Sequence, residues 1–238
     1  TGAVVIEEVN SGDIVAISSK PDFFQNCIEN YLDSENKELF NRAVASYNLG
    51  SIFKIIDAIV MLESKDNWNE KYFCNGSIEL GDREFKCYSH DIGGHGFVDL
   101  NKAFATSCNT YFINSVIRID AKILIEKARL LGLGSVTGIK DQGIDESKGN
   151  IPSTNNFYTS GDKANISIGQ GEIMATPVQV ADIVATVANG GIKNHVNIVD
   201  SIVDDDGNKV RQIKQKDGYR VIEKEIADRI KEMMGCNR

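Results

Sequence analysis

YNLGSIFKIIDAIVMLE, residues 47–63, is the stretch that decides how this chain is interpreted. Ser51 follows a glycine, Lys54 comes three residues later, and almost every residue after Lys54 is apolar. Apolar residues on nearly every face predict a helix that is buried on all sides. Because residues three apart lie on the same helical face, the Lys54 amine can reach the Ser51 hydroxyl. The stretch therefore raises the question whether Ser51 is a nucleophile with its own base.

Two interpretations of Ser51 follow from the residues alone. A lysine acts as a base only when it is neutral, and burial lowers its pKa because the charged form loses its hydration. A helix N-terminus also stabilises negative charge that develops on a serine oxygen. The alternative is that Ser51 is only the N-cap of a core helix. The S-x-x-K spacing does not decide between them, because it recurs at Ser34–Lys37 and Ser160–Lys163 in polar, loop-like segments.

The composition is that of an ordinary globular protein. The 238 residues are 42% hydrophobic and 25% charged, enough for one large domain or two small ones. The formal net charge of −8 disfavours a broad surface for polyanions, so we expect no nucleic-acid partner. No apolar run approaches the roughly 18 to 20 residues of a membrane span. Five cysteines are too few for a fold built on disulfides, and their odd number leaves at least one unpaired.

Turn and cap residues divide the chain into strands and helices. Turns at residues 10–13 and 206–207 predict a hairpin near each end of the chain. Helices are predicted over 120–132 and 176–190, where each segment has both a start and a stop signal. Residues 134–170 are rich in Gly, Ser and Asn and predict a long loop. Strands at both ends with helices between them indicate an α+β fold, in which an antiparallel sheet carries a helical cluster.

A second polar group lies between two predicted helices. The segment VDLNKAFATSCNTYFINSVIRI, residues 98–119, has helical apolar spacing on both sides of Ser107-Cys108-Asn109. A hydroxyl and an amide at such a junction can face a cleft, whereas the structural alternative is a helix junction capped by Asn109. S-x-N occurs elsewhere in the chain, so this motif gains meaning only from its context.

Three longer blocks supply that context. NRAVASYNLGSIFK, residues 41–54, resembles the first active-site motif of the penicillin-binding proteins, and GGHGFVDLNKAFATSCNTYF, residues 93–112, resembles the segment that carries their second motif. GDKANISIGQGEIMATPVQVADIVATVANGG, residues 161–191, is similar to the stretch that precedes their third motif. The blocks occur in the family's order and are most similar to class B, elongation-type D,D-transpeptidases. The resemblance implies the fold shared by penicillin-binding proteins and serine β-lactamases.

The resemblance also implies an acyl-transfer mechanism. Ser51 would attack the penultimate D-alanyl carbonyl of a peptidoglycan stem peptide, and β-lactams would acylate the same serine. Lys54 would take the serine proton, Ser107 would help carry a proton to the leaving amine, and Asn109 would hold Lys54 and the substrate amide. In the third block we expect substrate contacts from a short run of three residues, Gly169, Gln170 and Gly171. No cofactor would be needed for catalysis.

Other implications of the resemblance concern the setting of the enzyme. The domain would act on the extracytoplasmic face of the bacterial cell membrane, held by an N-terminal anchor that precedes Thr1. A glycosyltransferase of the cell-wall machinery would be its partner. A D,D-carboxypeptidase or serine β-lactamase could use the same Ser51 and Lys54, and a non-catalytic β-lactam-sensing or scaffold domain is a further alternative.

The sequence departs from the family pattern in one respect. K-[ST]-G, the third motif, occurs nowhere in the 238 residues, although the family uses it to recognise the substrate carboxylate and to supply one oxyanion-hole amide. Losing one oxyanion donor costs roughly 10² to 10³ in rate. We therefore expect residues 1–238 to be a transpeptidase domain truncated before the K-[ST]-G strand, without the anchor and the N-terminal non-catalytic region.

Two cysteines are predicted to lie together on a hairpin. If the turn is at Leu80–Gly81, Cys74 and Cys87 fall opposite each other. With the nearby side chains they form a set typical of a structural zinc site, and a disulfide or two free thiols are the alternatives. The predicted ligands are Cys74, Cys87, His90 and Asp82, with His95 or Asp91 as a substitute ligand. Cys108, inside the second motif, is expected to be a small buried residue.

Overall fold

The computed structural model describes residues 1–64, 68, 70–213 and 216–235. Within these residues the chain forms the helices α1 Lys54–Glu63, α2 Leu100–Ala105, α3 Asn109–Val116, α4 Ala121–Leu130, α5 Ser160–Ser167, α6 Pro177–Ala188 and α7 Lys224–Gly235. The strands are β1 Gly2–Glu7, β2 Ile14–Lys20, β3 Tyr47–Asn48, β4 Tyr72–Cys74, β5 Ser77–Leu80, β6 Arg83–Lys86, β7 Gly96–Val98, β8 Met174–Ala175, β9 Ile192–Lys193, β10 Ser201–Val203, β11 Lys209–Gln212 and β12 Tyr219–Arg220.

The strands pair in antiparallel ladders, as the α+β prediction requires. β1 and β2 form the predicted N-terminal hairpin, and β10 and β11 form the hairpin around Asp206 and Gly207. Other pairs join distant parts of the chain: β3 with β8, β4 with β7, and β9 with β12. Among the described residues each ladder contains two strands, so the antiparallel structure consists of several short ladders. The pairing of β3 with β8 places the segment before Ser51 beside the residues that precede α6.

The helical cluster is centred on α1. Ile56 and Ile59 of this helix are almost completely buried, and the helix packs against α3, α4 and α7. The predicted end signals are confirmed, since the side chain of Asp120 caps α4 and Thr176 forms a capping box at the start of α6. The predicted apolar run after Lys54 thus becomes the middle of the core. None of the helices in the described ranges is long and apolar enough to cross a membrane.

Two predictions about local structure are wrong. The segment 134–170 is not all loop, because α5 occupies its last part behind a capping box made by Thr159 and Asp162. That box is readable as T-x-x-D, but the polar helix behind it has no apolar stripe to mark it. The second hairpin turns at Gly81–Asp82, with Leu80 opposite Arg83, one residue later than predicted. This change of register matters for the cysteines.

Candidate active site

Ser51 lies in a 3₁₀ turn, Gly50–Phe53, that leads directly into α1. The residue at the N-cap position of α1 is Phe53, and no side chain caps that helix end. Ser51 is exposed and does not cap the helix, so the interpretation of this residue as an N-cap is wrong. Gly50 has a φ of +58°, a conformation that favours glycine and presents the serine at the start of the turn.

The Lys54 amine occupies the centre of a polar cluster. Its Nζ donates to Ser51 Oγ at 3.0 Å and, across the cleft, to Ser107 Oγ at 2.8 Å and Asn109 Oδ1 at 2.6 Å. A fourth contact reaches the backbone carbonyl of Ser107 at 2.9 Å. The Ser107 hydroxyl in turn donates to Ser51 Oγ at 2.9 Å. The structure therefore brings together all four residues that the sequence proposed as catalytic.

Burial determines the proton affinity of this lysine. Lys54 is only 3% exposed. Burial lowers its pKa from 10.5 to about 8, while the electrostatic interaction with Asp57 is the largest effect in the opposite direction. A pKa near neutrality leaves a substantial fraction of the amine unprotonated at about pH 8. Lys54 therefore combines a contact with the Ser51 hydroxyl and a lowered pKa, the two properties that a general base needs.

The second motif is held by contacts from a different part of the chain. Ser107 joins α2 to α3 with a φ of +49°, which is uncommon for a residue with a side chain. The Asn109 amide donates its Nδ2 hydrogen to the Lys86 carbonyl at 3.1 Å, and its backbone N–H points to Cys87 Sγ at 3.3 Å. These contacts fix the orientation of Asn109, so that its Oδ1 faces the lysine.

The third block contributes through backbone contact. The Gly50 N–H donates to the Gly169 carbonyl at 3.0 Å, and a Cβ at Gly169 would lie 2.2 Å from the Gly50 carbonyl oxygen. Only glycine fits there, which ties the third block to the turn that carries Ser51. Gln170 and Gly171 are exposed and line an adjoining cavity of about 270 Å³ together with Tyr158. Their predicted role in substrate binding remains a prediction.

The other two S-x-x-K sequences have no such surroundings. Lys163 lies on α5, but its Nζ donates to the backbone carbonyls of Ile117 and Ile119 at 3.3 and 2.8 Å. Lys37 lies outside any helix or strand, with a φ of +50°. Ser160 is exposed at the start of α5. The same spacing therefore produces one assembled polar cluster and two ordinary surface arrangements.

A second cluster lies behind the active site. The ligand atoms of Cys74, Cys87, His95 and Cys108 all lie within 4.8 Å of one another. His95 Nδ1 is 3.5 Å from both Cys74 Sγ and Cys87 Sγ. Cys74, Cys87 and Cys108 are buried free thiols, so no disulfide joins the first two. Cys236, the fifth cysteine, lies outside the described residues.

This geometry corrects the predicted ligand set. The later turn places Cys87 beside Gly76, whose carbonyl accepts the Cys87 N–H at 2.8 Å, while Cys74 pairs with Gly96 in β7. That pairing puts His95 beside the cysteines, so this substitute ligand belongs to the cluster. Neither His90 nor Asp82 nor Asp91 is part of it, and Asp82 lies exposed in the hairpin turn.

Cys108 is the cluster member that the sequence analysis missed. It is fully buried, as expected, but its sulfur faces the other two thiols across the junction of α2 and α3. A contact from Cys108 is the largest cause that lowers the pKa of Cys87 to about 4, which favours a thiolate at the centre of the cluster. Its distance along the sequence from Cys74 and Cys87 follows no known metal-ligand spacing. Only its position between Ser107 and Asn109 indicated that it lies near the active site.

Comparisons with known proteins agree with the geometry of the site. A family model described as "Penicillin binding protein transpeptidase domain" matches residues 2–236. The peptidoglycan D,D-transpeptidase PbpA of Mycobacterium tuberculosis is 30% identical over 98% of the chain and 50% of its own length. The peptidoglycan D,D-transpeptidase MrdA of Acinetobacter baumannii is 29% identical over 80% of the chain and 31% of its own length. The chain thus spans about half the length, or less, of these curated relatives.

Solved structures give the same result. The imipenem acyl-enzyme complex of penicillin-binding protein A from M. tuberculosis superposes with a TM-score of 0.88 at 28% identity. This alignment covers 99% of the chain and 57% of the neighbour. A structure described as the coordination of polymerization and crosslinking by a peptidoglycan synthase complex superposes with a TM-score of 0.80 at 27% identity, covering 98% of the chain and 41% of that chain. From its sequence and its fold, the chain belongs to the penicillin-binding protein transpeptidase family.

Proposed function

We propose that this chain is the acyl-transfer domain of a peptidoglycan D,D-transpeptidase. The observation that carries the proposal is the position of Lys54 Nζ, within 3.0 Å of Ser51 Oγ and within 2.8 Å of both Ser107 Oγ and Asn109 Oδ1. A nucleophile, a buried base and two polar side chains that orient them are what covalent acyl transfer needs. The family's relatives named D,D-transpeptidases support the assignment.

The geometry supports a two-stage mechanism. Ser51 Oγ attacks the penultimate D-alanyl carbonyl of a stem peptide while Lys54 Nζ takes its proton. The Ser107 hydroxyl, in contact with both groups, passes a proton to the leaving amine as D-alanine departs. An amine from a neighbouring peptide then attacks the acyl-enzyme and restores the Ser51 hydroxyl. All proton transfers use residues of this chain, so the reaction needs no cofactor.

The setting of the enzyme is also a proposal. Its relatives in cell-wall synthesis support a site of action outside the cytoplasmic membrane, with an anchor and the K-[ST]-G strand in sequence outside residues 1–238. Structural similarity to a peptidoglycan synthase complex supports a glycosyltransferase partner. On this proposal, residues 1–238 alone are acylated about 10² to 10³ more slowly than a chain that also carries the oxyanion-hole amide of the K-[ST]-G strand.

Labelling with a fluorescent penicillin, followed by intact-mass measurement, tests the function. Ser51→Ala should abolish the adduct, whereas Ser160→Ala, which removes a serine of identical S-x-x-K spacing, should keep it. No adduct on the wild-type chain would remove the acylation mechanism. A lasting adduct that peptide donors and acceptors do not turn over indicates a sensing or scaffold domain. Rapid hydrolysis of the adduct indicates a β-lactamase, and release of D-alanine without cross-linking indicates a carboxypeptidase.

The cysteine cluster supports a second proposal, a structural zinc ion. Three sulfurs and one imidazole, from Cys74, Cys87, Cys108 and His95, match the Cys₃His sets of structural zinc sites. Their ligand atoms all lie within 4.8 Å of one another, close enough to bind one ion, and the three thiols are buried. The ion would join the end of β4, the residue after β6, the segment before β7 and the second motif, and would take no part in acyl transfer.

Elemental analysis of purified protein tests the metal. We expect about one zinc per chain, lost in Cys74→Ser, because each ligand is needed for a closed structural site. Cys27→Ser is the matched control, since Cys27 lies outside the cluster and should leave the zinc content unchanged. Chelation should also lower the melting temperature of the wild-type chain. A zinc content near zero after metal-free handling and zinc addition would contradict the site.

A further inference from the structure

Asp57 is a buried acid that the mechanism above does not use. It lies on α1, three residues after Lys54 and on the same side of the helix. The residue is 0% exposed, and neither carboxylate oxygen has a hydrogen-bond partner among the described residues. A buried carboxylate without a donor is costly, so such a residue is rarely found without a charged neighbour. Its position in the first turn after the nucleophile calls for an explanation.

The surroundings of Asp57 leave Lys54 as its charged neighbour. The described helices that pack on α1 are α2, α3, α4 and α7, and their buried side chains include no acid or base other than the Tyr111 phenol of α3. The ion pair between α1 and α4, Lys127 with Glu63, lies at the opposite end of α1. Burial raises the pKa of Asp57 well above its ordinary value, and the charge of Lys54 is what opposes this rise.

Protonated Lys54 lacks a negatively charged hydrogen-bond partner within the part of the chain that the structure describes. The atoms within hydrogen-bond distance of its Nζ are two hydroxyls, a backbone carbonyl and an amide oxygen, none of which carries a full charge. Each time it accepts the Ser51 proton, Lys54 becomes an ammonium in a site where it is 3% exposed. The largest electrostatic effect that favours its charged form comes from Asp57, followed by Cys87, the residue after β6. Asp57 is the carboxylate of the two.

We propose that Asp57 is a positioning residue that acts through Lys54, providing the counter-charge for the ammonium formed when Ser51 is deprotonated. The proton moves from Ser51 Oγ to Lys54 Nζ and later to the leaving amine, and no bond to Asp57 forms or breaks. The carboxylate lies on α1 one helical turn after the base and is fully buried. Its charge makes Lys54 a stronger base than burial alone would allow. This inference rests on the proposed function, since it takes Lys54 as the base.

The test is the pH profile of Ser51 acylation by a fluorescent penicillin, measured on Asp57→Asn at fixed zinc. Asparagine keeps the shape of aspartate and removes its charge. Without the counter-charge the acid limb should move to lower pH by on the order of one unit, because a neighbouring opposite charge shifts a pKa by about that much. The plateau rate should fall a few-fold, because Lys54 becomes a weaker base. Glu63→Gln, which removes a charge from the far end of α1, should leave the limb in place.

The outcomes separate this inference from the proposed function. If the wild-type chain forms no Ser51 adduct, the proposed function fails. If the wild type acylates and Asp57→Asn has an unmoved acid limb, Asp57 stays protonated throughout and its role as counter-charge is overturned. If the Asp57→Asn variant does not fold, Asp57→Thr is the second variant, because a threonine hydroxyl can donate a hydrogen bond to a backbone carbonyl of the preceding helical turn. It should move the limb in the same direction.

Discussion

Two S-x-x-K sequences lie at the start of a helix and share their spacing, but they differ in burial and in the partners of the lysine. Ser51 precedes a buried apolar helix that begins at Lys54, and the lysine reaches across a cleft to side chains of the second motif. Ser160 and Lys163 begin a short polar helix, where the lysine instead donates to two backbone carbonyls. The comparison shows that the spacing only allows the lysine amine to approach the serine hydroxyl. Burial of the lysine and polar partners from another part of the chain are what distinguish the first pair.

The difference can be stated in terms of the lysine alone. Lys54 is desolvated, so its neutral form is accessible, and its contacts are the hydroxyls and the amide that acyl transfer requires. Lys163 is partly exposed and uses its hydrogens to join α5 to the segment after α3. On the proposed function, Lys54 is therefore the base, whereas Lys163 joins α5 to the segment after α3.

Removal of each lysine should give the largest contrast. Lys54→Met should lower the rate of acylation by a β-lactam by about 10² to 10⁴, the usual contribution of a general base. Lys163→Met should retain most of that rate and lose only stability. Stopped-flow or gel-based labelling with a fluorescent penicillin measures both variants. Equal losses in the two variants would mean that Lys54 supports folding rather than chemistry.

The pH dependence of acylation should report the buried lysine. Because Lys54 acts as a base only when unprotonated, and burial lowers its pKa to about 8, the rate should rise with pH and level off above about pH 8. Below that value it should fall about tenfold per pH unit. Rates measured between pH 6 and 10 on one enzyme preparation test this. A rate that keeps rising toward 10.5, the ordinary lysine pKa, would contradict burial as the cause.

A pair of glycines tests the contact that places Ser51. Gly169 and Gly171 both have positive φ, of +62° and +74°, so an alanine strains the backbone at either position. Only at Gly169 would the new Cβ meet backbone, 2.2 Å from the Gly50 carbonyl, while at Gly171 the nearest atom is 4.0 Å away. We expect Gly169→Ala to slow acylation roughly tenfold by moving the serine turn, as small misplacements of a reacting group do.

Gly171→Ala is the matched control for that prediction. It should lose about 1 kcal/mol of unfolding free energy to backbone strain, with little change in the acylation rate. Urea unfolding and labelling on the same samples separate the two effects. If both alanines slow acylation equally, the third block acts through backbone strain and not through its contact with Gly50.

The smallest expected effect concerns the polar helix. Thr159→Ala removes the N-cap of α5 and its reciprocal bond with Asp162, at a cost of about 1 kcal/mol in the free energy of unfolding. Because Ser160 and Lys163 have no role in acyl transfer on this account, the acylation rate should stay constant. A loss of acylation in Thr159→Ala would show that α5 positions the active site.

The sequence predicted those parts of the fold that local signals encode. Asp120 and Thr176 begin their helices as predicted, and the apolar run after Lys54 becomes the core. The helix α5 was missed because its stability comes from a capping box and from packing on α3 rather than from an apolar stripe. The blocks around them singled out the four proposed catalytic residues, which the structure gathers around Lys54 Nζ, whereas S-x-x-K alone has three candidates.

The cysteine cluster shows where local signals end. The proximity of Cys74 and Cys87 was predicted from a hairpin whose turn lies one residue later in the structure. His95 takes the place of the predicted His90 because Cys74 pairs with Gly96 of β7, which brings the preceding residue beside the cysteines. The inclusion of Cys108 depends on how the second motif packs against that hairpin, which is a tertiary contact that no spacing rule contains.

The central claim is that tertiary surroundings, and not spacing, make Ser51 the nucleophile. The most direct test is peptide mapping by tandem mass spectrometry of the wild-type chain after reaction with a penicillin. We predict a single acyl adduct on Ser51, with Ser160 and Ser34 unmodified although they share its spacing. An adduct on either of those serines, or a stable chain that reacts at none of the three, would contradict the account.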